Sequence, residues 1–167
     1  MQWALTSLKG LLMATASFVF TSTPFFSGGQ PGERIEKEFT CQGADVSPPM
    51  AWSAPPAGTQ SLALIVDDPD APGGLFTHWV VYGIAAESRG MRKGQLPSGG
   101  SEGINDFGTL GYRGPCPPPG APHRYVFTLY ALDEAVTWPP GSTVGEIKRA
   151  MGGHTLARTQ VTGTYGR

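Results

Sequence analysis

Asp68-Pro69-Asp70-Ala71-Pro72 is the most informative stretch of this 167-residue chain. It comes soon after the apolar run 62–66, a pattern that predicts a buried strand ending in a loop. The pair His78-Trp79 begins six residues after Pro72. Two carboxylates held two residues apart by prolines, with an imidazole close in sequence, form a stiff acidic corner. We expect this corner to hold a small polar group.

The composition predicts a single, turn-rich domain and argues against several kinds of partner. The chain has 12 Lys and Arg against 13 Asp and Glu residues, a formal net charge of −1, and no basic run of the kind that binds nucleic acid. We therefore expect no nucleic-acid partner. No transmembrane segment is expected either, because no stretch approaches the ~20 apolar residues that span a bilayer. The 24 Gly and 16 Pro residues separate the apolar segments, which indicates short strands and elaborate loops.

Apolar and β-branched runs predict a sheet at the centre of the molecule. The connections 90–103 and 108–122 are rich in Gly and Pro and are long enough to shape a site. One helix is predicted near the C-terminus, where Thr143 as N-cap and Glu146 form a capping box and Gly152-Gly153 ends the element. The predicted strands cover residues 18–21, 61–66, 79–84, 125–132 and 160–165.

The first residues form an N-terminal extension, 1–16, ahead of a domain that covers residues 17–167. Lys9 and the apolar stretch after it resemble a weak signal peptide, but Thr15 interrupts the stretch and no small-x-small cleavage site is evident. Met13 is an alternative start residue. We therefore expect a cytoplasmic protein. The alternative is an exported, periplasmic protein, if the segment acts as a signal.

The chain has two cysteines, Cys41 and Cys116, and neither has the Cys-x-x-Cys spacing of a metal site. No metal site is therefore predicted. If the two cysteines pair, the bond closes a loop of 76 residues (41 to 116) and stabilises the fold by about 4.5 kcal/mol in the chain-entropy treatment. Such a bond persists only in an oxidising compartment or an unusual cytosol. The alternative, two reduced and largely buried thiols, is the one we favour.

Three groups of ionisable and aromatic residues adjoin the predicted strands: Asp68 with Asp70, then His78, then His123-Arg124-Tyr125. Each has a structural explanation, because Asp70 can cap a turn, His78 can be a core histidine and Tyr125 a strand aromatic. All of them, however, stand at strand ends beside Pro-rich loops, where binding residues usually lie. This shared position favours a binding site.

The order and spacing of these motifs resemble the phosphatidylethanolamine-binding protein (PEBP) family. The resemblance rests on Asp68-Pro-Asp-Ala-Pro72, His78-Trp-Val-Val81, Gly111-Tyr-Arg-Gly-Pro-Cys-Pro-Pro118 and His123-Arg-Tyr125. Further motifs resemble the bacterial and archaeal branch, often called Raf kinase inhibitor-like proteins. They are Phe39-Thr-Cys-Gln-Gly43, Val46-Ser-Pro-Pro49, Trp52, Asn105-Asp-Phe-Gly108 and Gly163-Thr-Tyr-Gly-Arg167.

The resemblance implies a mainly β fold in which a large central antiparallel sheet packs on a smaller sheet, with one or two short helices near the C-terminus. It also implies a small anion pocket near the surface and a cis peptide bond between Ala71 and Pro72. The pocket would be lined by Asp68, Asp70, Phe76, His78, Tyr112, the turn Cys116-Pro117-Pro118, His123 and Tyr125.

This lining has mixed chemistry, because it contains two carboxylates and no Lys or Arg. The Tyr125 hydroxyl, the two imidazoles and backbone N–H groups near Cys116 can donate hydrogen bonds to phosphate oxygens. Asp68 or Asp70 can orient an imidazole from behind. A carboxylate can also receive an ammonium group, so a zwitterion such as phosphoethanolamine would suit the site better than a bare dianion.

We therefore expect a non-enzymatic binding protein, without a cofactor, for a phosphate-containing small molecule, a lipid head group or a phosphorylated side chain of a protein partner. The family name adds the expectation of a kinase or protease regulator. The alternative is a hydrolase with His78 or His123 as general base and an Asp as its orienter, although the chain has no Gly-x-Ser-x-Gly elbow. The apolar loop residues Leu75 and Phe76 could form a contact surface for a homodimer or for a protein partner.

Overall fold

The structure is a computed structural model, and it describes residues 17–136 and 138–167. Within these ranges it contains eight strands, one α-helix and two short 3-10 helices. The strands are β1 (Phe20–Ser22), β2 (Met50–Trp52), β3 (Ser61–Asp68), β4 (Phe76–Ala85), β5 (Gly90–Met91), β6 (Ser101–Glu102), β7 (His123–Leu132) and β8 (Thr155–Tyr165). The α-helix is α1 (Val144–Ala150), and the 3-10 helices are Ser27–Gly29 and Lys37–Phe39.

The strands form one large and one small antiparallel sheet. The large sheet has five strands in the order β6-β4-β3-β7-β8, and the small sheet has three in the order β1-β2-β5. Every strand pair in both sheets is antiparallel. The predicted architecture, mainly β with a large sheet, a smaller sheet and one short α-helix near the C-terminus, is therefore confirmed.

Strand β3 lies at the centre of the large sheet and is apolar along most of its length because both faces of the sheet are covered. Successive side chains point to opposite faces. Leu62, Leu64 and Val66 belong to the core between the two sheets, whereas Ala63 and Ile65 pack on the far side with residues of helix α1. A strand that is covered on both faces has no need of polar alternation, which explains the continuous apolar run.

Helix α1 begins with the capping box that the sequence predicts. The Thr143 hydroxyl accepts from the backbone N–H of Glu146, and the Glu146 carboxylate accepts from the backbone N–H of Thr143 at 2.7 Å. The helix is also tied to the end of β3, because Nζ of Lys148 donates to Oδ1 of Asp67 at 3.1 Å and the same carboxylate accepts from the Thr77 hydroxyl. Asp67 therefore faces the helix side of the sheet.

The beginning of the chain is only partly described. The predicted N-terminal extension, residues 1–16, lies outside the described residues. The first strand begins at Phe20, two residues later than predicted. Within the ranges that the structure describes, none of the helices has the length and apolarity needed to cross a bilayer.

Candidate functional site

The end of β3 brings Asp68 next to the start of β7. The two strands are antiparallel, and Asp67 pairs with Val126. Because side chains alternate, Asp68 lies on the same face of β3 as Val66, and His123 lies on the same face of β7 as Tyr125. Val66 and Tyr125 both belong to the core between the sheets. Asp68, His123 and Tyr125 therefore converge at one end of that core.

A β-bulge in β4 adds His78 to the same face. Val66 pairs with Trp79, whereas the next residue of β3, Asp67, pairs with Thr77, so His78 is an extra residue in β4. A bulge breaks the regular alternation and re-aims a side chain. The His78 ring consequently lies 5.2 Å from the Tyr125 ring, centroid to centroid.

These side chains line a cavity of about 170 Å³. Asp68 supplies the only carboxylate in the lining, and among the described residues no Lys or Arg contributes to it. The remaining lining is mostly apolar. The full lining is Asp68, Ala71, Pro72, Phe76, His78, Phe107, Cys116, Pro117, Pro118, His123 and Tyr125.

Asp68 orients His123 from behind. The Asp68 residue is only 3% exposed. Its Oδ1 atom accepts from the backbone N–H of Asp70 at 2.8 Å, and its Oδ2 atom accepts from Nδ1 of His123 at 2.8 Å. Because Nδ1 carries the hydrogen, Nε2 is the atom of His123 that remains for a ligand. The expectation that an aspartate orients an imidazole therefore holds for this pair.

His78 is oriented in the same way by a backbone carbonyl. Its Nδ1 atom donates to the carbonyl oxygen of Arg113 at 2.8 Å, which leaves Nε2 for a ligand. Burial lowers the pKa of His78 below its usual 6.5, although the Arg113 carbonyl and the charge of Asp68 act in the opposite direction. His78 is therefore neutral at pH 7 and presents Nε2 as an acceptor until the solution becomes acidic.

Tyr125 contributes a buried hydroxyl that lies near Asp68 and the backbone of Cys116 but makes no hydrogen bond of good geometry with either. It is the only buried side-chain polar atom without a partner in the described part of the chain. Burial and the nearby charge of Asp68 raise the pKa of this hydroxyl, so it keeps its proton and remains a donor. A buried polar group without a partner costs about 1–3 kcal/mol. A ligand oxygen in the cavity would recover this cost.

Two residues that were predicted to line the pocket lie outside it. Asp70 is held away by Arg124, which donates to its carboxylate from Nε at 2.9 Å, from Nη2 at 2.7 Å and from the backbone N–H at 2.8 Å. These hydrogen bonds lower the pKa of Asp70 to about 2. The Tyr112 hydroxyl donates to the carbonyl oxygen of Phe39 at 2.7 Å, and its ring packs edge-on against Trp79.

The turn 114–118 forms one wall of the cavity, and we call it the wall turn. The backbone N–H of Gly114 donates to Oδ1 of Asp45 at 2.7 Å, and that of Cys41 donates to the carbonyl oxygen of Pro115 at 3.2 Å. Cys41 and Cys116 form a disulfide, with Cα atoms 5.4 Å apart. The structure therefore contradicts the reduced, unpaired thiols that we favoured from the sequence.

Ala71 and Pro72 also line the cavity, where the loop after β3 turns back. The described residues contain no cis peptide bond. The expected cis bond between Ala71 and Pro72 is therefore wrong for this structure.

Phe107 is a lining residue that the sequence analysis quoted only within the motif Asn105-Asp-Phe-Gly108 and did not assign to the pocket. Its ring lies edge to face with Phe76 at 4.8 Å and with His78 at 5.1 Å between centroids. The side-chain oxygen of Asn105 accepts from the backbone N–H of Phe107 at 3.0 Å, a local turn typical of Asn. The sequence did contain a signal for this residue, because Asn105 and Gly108 are typical of a turn. A single aromatic residue between them indicates a ring exposed on that turn.

Comparison with known proteins decides the family. The family model described as phosphatidylethanolamine-binding protein matches residues 27–166. The chain belongs to this family. A UPF0098 protein of Methanothermobacter thermautotrophicus is 48% identical over 139 residues, which cover 80% of this chain and 91% of that protein. LppC of Mycobacterium tuberculosis, a candidate lipoprotein, is 46% identical over 145 residues, which cover 86% of this chain and 70% of LppC.

Two solved structures of PEBP relatives share the fold. CT736 of Chlamydia trachomatis, a candidate PEBP homologue, has a TM-score of 0.82 and 37% identity, with 90% of this chain and 98% of CT736 covered. YbcL of Escherichia coli, described as a member of the mammalian PEBP family, has a TM-score of 0.81 and 32% identity, with 91% of this chain and 99% of YbcL covered. The resemblance to PEBP proteins inferred from the motifs is therefore confirmed.

The cavity of this PEBP chain offers one hydroxyl donor and two imidazole nitrogens that can accept or, once protonated, donate. The lining contains no Ser or Thr, and its cysteine is bonded. The arrangement is therefore suited to holding a small group that has both acceptor and donor atoms.

Proposed function

We propose that this PEBP protein is a non-catalytic binding protein whose cavity accepts the phosphate group of a phosphate-bearing ligand. The observation that supports this best is the Tyr125 hydroxyl, which is a buried donor without a partner in the cavity lining. Beside it, His78 and His123 have Nδ1 engaged, which leaves both Nε2 atoms for the ligand.

The chemistry of the lining favours a phosphate monoanion over a dianion. A monoanion has acceptor oxygens for Tyr125 and one O–H that can donate to Nε2 of a neutral imidazole. A dianion has no donor, and it would add a second negative charge close to Asp68, while no Lys or Arg belongs to the described lining of the cavity to offset it. Both oxygens of Asp68 already accept hydrogen bonds. We therefore assign this carboxylate to orienting His123 and not to receiving an ammonium group.

Calorimetric titration with inorganic phosphate tests the proposal. Tyr125→Phe removes only the hydroxyl, and a lost hydrogen bond to a charged ligand of about 1.5–3 kcal/mol lowers the affinity roughly 10- to 100-fold. Tyr82→Phe is the matched control, because the Tyr82 hydroxyl donates to the carbonyl oxygen of Pro139 on the helix side of the sheet. Absence of phosphate binding, or equal affinity in wild type and Tyr125→Phe, would overturn the proposal.

A hydrolase is the second candidate, and the Asp68–His123 hydrogen bond at 2.8 Å is the observation that favours it. An imidazole oriented by a carboxylate is the usual arrangement of a general base. Since the lining has no Ser, Thr or free Cys, the nucleophile would have to be water. Turnover of p-nitrophenyl phosphate or p-nitrophenyl acetate that is lost in His123→Gln would establish this alternative over simple binding.

The same phosphate site would serve a lipid head group, a phosphorylated small molecule or a phosphorylated side chain, and we extend the proposal to a regulator of a kinase or protease on the family resemblance alone. Inhibition assays against panels of both enzyme classes test the extension. Loss of any inhibition in Tyr125→Phe would connect it to the cavity. Inhibition that is unchanged in this variant would assign the regulatory role to another surface.

We also propose that the protein works in an oxidising compartment, in line with the exported, periplasmic location that was the alternative to the cytoplasm in the sequence analysis. The Cys41–Cys116 disulfide supports this, because structural disulfides persist mainly in oxidising environments. The relative LppC is described as a candidate lipoprotein, a description that is compatible with this proposal. Thiol alkylation in intact host cells, followed by mass measurement, tests the proposal. Two alkylated cysteines would contradict it.

A further inference from the structure

We infer that the cavity prefers aryl phosphates, in which the phosphate is esterified directly to a flat aromatic ring, and that Phe107 sets this preference. The inference rests on the proposed function, because it concerns the alcohol part of a phosphate ester whose phosphate group occupies the proposed site. It specifies the class of alcohol that the phosphate carries.

The size of the cavity requires that part of the ligand lies outside. Its volume of about 170 Å³ is well below the ~300–1,000 Å³ of cavities that enclose whole drug-sized ligands. A phosphate group held by Tyr125 and the imidazoles would occupy much of this space. The alcohol part of a phosphate ester must therefore leave through the mouth, and the residues there determine which alcohol fits.

The mouth is apolar and stiff. The exposed residues of the lining are Pro72, Phe107, Cys116 and Pro118, and Cys116 is held by its disulfide. None of these four side chains carries a charge or a strong hydrogen-bonding group. A polar alcohol would lose water at this mouth without gaining hydrogen bonds, whereas a flat apolar ring would gain contacts. Among the proposed ligands, the lining therefore favours an aromatic alcohol over the glycerol-like or ethanolamine-like alcohols of a lipid head group.

Aromatic rings already dominate this side of the cavity, and Phe107 leaves one ring open to the ligand. The Phe107 ring is edge to face with Phe76 and His78 at interplanar angles of 78° and 81°. Even so, 44% of Phe107 is exposed. Aromatic pairs prefer such edge-to-face or offset arrangements and gain roughly 2- to 10-fold in affinity beyond the buried area. An aromatic alcohol would extend the existing cluster.

The Phe107 ring is held in place before any ligand arrives. The Oδ1 atom of Asn105 accepts from the backbone N–H groups of Phe107 at 3.0 Å and Thr109 at 3.2 Å. The neighbouring Asp106 carboxylate accepts from the backbone N–H of Thr77 in β4 at 2.6 Å. Because the turn is fixed to the sheet, little conformational entropy is lost when a ligand contacts the ring.

The test is a calorimetric comparison of phenyl phosphate with cyclohexyl phosphate, which have rings of similar size, in an acidic buffer in which both esters are monoanions. We expect the wild-type protein to bind phenyl phosphate roughly 3-fold or more tightly. Phe107→Leu keeps an apolar side chain but removes the ring, and we expect the ratio of the two affinities to fall to about one. Leu110→Ala is the control, because Leu110 is 58% exposed and lies outside the lining. Thermal unfolding of each variant verifies that it is folded.

A ratio near one in the wild-type protein, or a ratio that persists in Phe107→Leu, overturns the inference. Binding of inorganic phosphate separates this failure from failure of the proposed function, because a protein that does not bind phosphate at all contradicts the function itself. A tyrosine-phosphorylated peptide distinguishes two sources of aryl phosphate. Tighter binding of the peptide than of phenyl phosphate supports a protein side chain as the ligand, and equal or weaker binding supports a small molecule.

Discussion

Asp68 and His123 are separated by 55 positions in sequence, and their side chains meet at 2.8 Å between Oδ2 and Nδ1. The contact exists because β3 ends where β7 begins and both residues occupy the same face of the sheet. It fixes which imidazole nitrogen carries the hydrogen. The proposed ligand site therefore depends on a carboxylate whose oxygens are already engaged within the protein.

Asp68→Asn should weaken phosphate binding about 10-fold while leaving the protein folded. An amide can both donate and accept, so it no longer enforces the hydrogen on Nδ1 of His123, and the charge-assisted hydrogen bond is lost. Calorimetry measures the affinity, and ¹⁵N NMR of the imidazole measures the tautomer. Asp133→Asn is the matched control, because Asp133 makes the same kind of contact with His154 at the surface, at 2.9 Å. A shifted His123 tautomer with unchanged affinity would contradict the assigned role.

Sulfate should bind more tightly at pH 5.5 than at pH 8. Sulfate keeps its double charge across this range. Any change in its affinity therefore reflects a change in the protonation of the protein. The lowered pKa of His78 means that this residue is neutral above pH 6.5 and gains its proton only on the acidic side. An imidazolium adds a positive charge and a donor at Nε2, so the affinity rises as the pH falls. His154→Gln serves as control at the surface. Equal or weaker binding at pH 5.5 would remove His78 from the donor role.

Removal of the disulfide should reduce both stability and affinity. The Cys41→Ser, Cys116→Ser double variant frees the wall turn from segment 39–45, and losing such a bond typically lowers the free energy of unfolding by about 2–5 kcal/mol. The hydrogen bond from Gly114 to Asp45 remains, so the fold should persist with a looser cavity wall. Urea unfolding and phosphate titration measure the two effects. A reductant should reproduce them in the wild type and have no effect on the double variant.

Arg124→Met should raise the pKa of Asp70 from about 2 towards its ordinary 3.8, because the hydrogen bonds that favour the carboxylate are lost. In the wild type, this pair contributes stability above pH 3.8 that disappears as the pH falls towards 2. The contribution is small because Arg124 is largely exposed. Carboxyl ¹³C titration by NMR measures the pKa, with Arg89→Met as control.

The same variant tests where Asp70 lies. Since Asp70 is outside the cavity lining, phosphate affinity should stay within about 2-fold of the wild type. A large loss of affinity in Arg124→Met would instead support the pocket position that the sequence suggested for Asp70.

The residues that converge on the cavity could be predicted where strand position alone decides the geometry. Asp68, His123 and Tyr125 stand at strand ends and alternate in register, so their common face follows from the period of a strand. The apolar run before Asp68 likewise predicted β3. The family resemblance then supplied the expectation that residues from distant strands share one pocket, which no local pattern contains.

The expectations that differ from the arrangement in the structure depend on contacts between loops. Asp70 has the same spacing from Asp68 as a lining residue would have, but the loop turns its carboxylate to Arg124 on the other face of β7. Tyr112 is drawn to the carbonyl of Phe39, a partner 73 positions away. The bulge at His78 and the pairing of the cysteines are also set by tertiary packing, which composition and spacing do not reveal.

Asp67 and Asp68 are consecutive carboxylates on opposite faces of one strand end, and this separates two kinds of mutational phenotype. A substitution at Asp67 acts on the attachment of α1 through Lys148, and so it should change how readily the protein unfolds. A substitution at Asp68 acts on the His123 imidazole, to which the proposed function assigns a ligand contact. In a mutational scan that measures abundance and binding separately, substitutions at Asp67 should lower abundance and substitutions at Asp68 should lower binding. Ligand preference can therefore diverge among relatives while the helix layer stays unchanged.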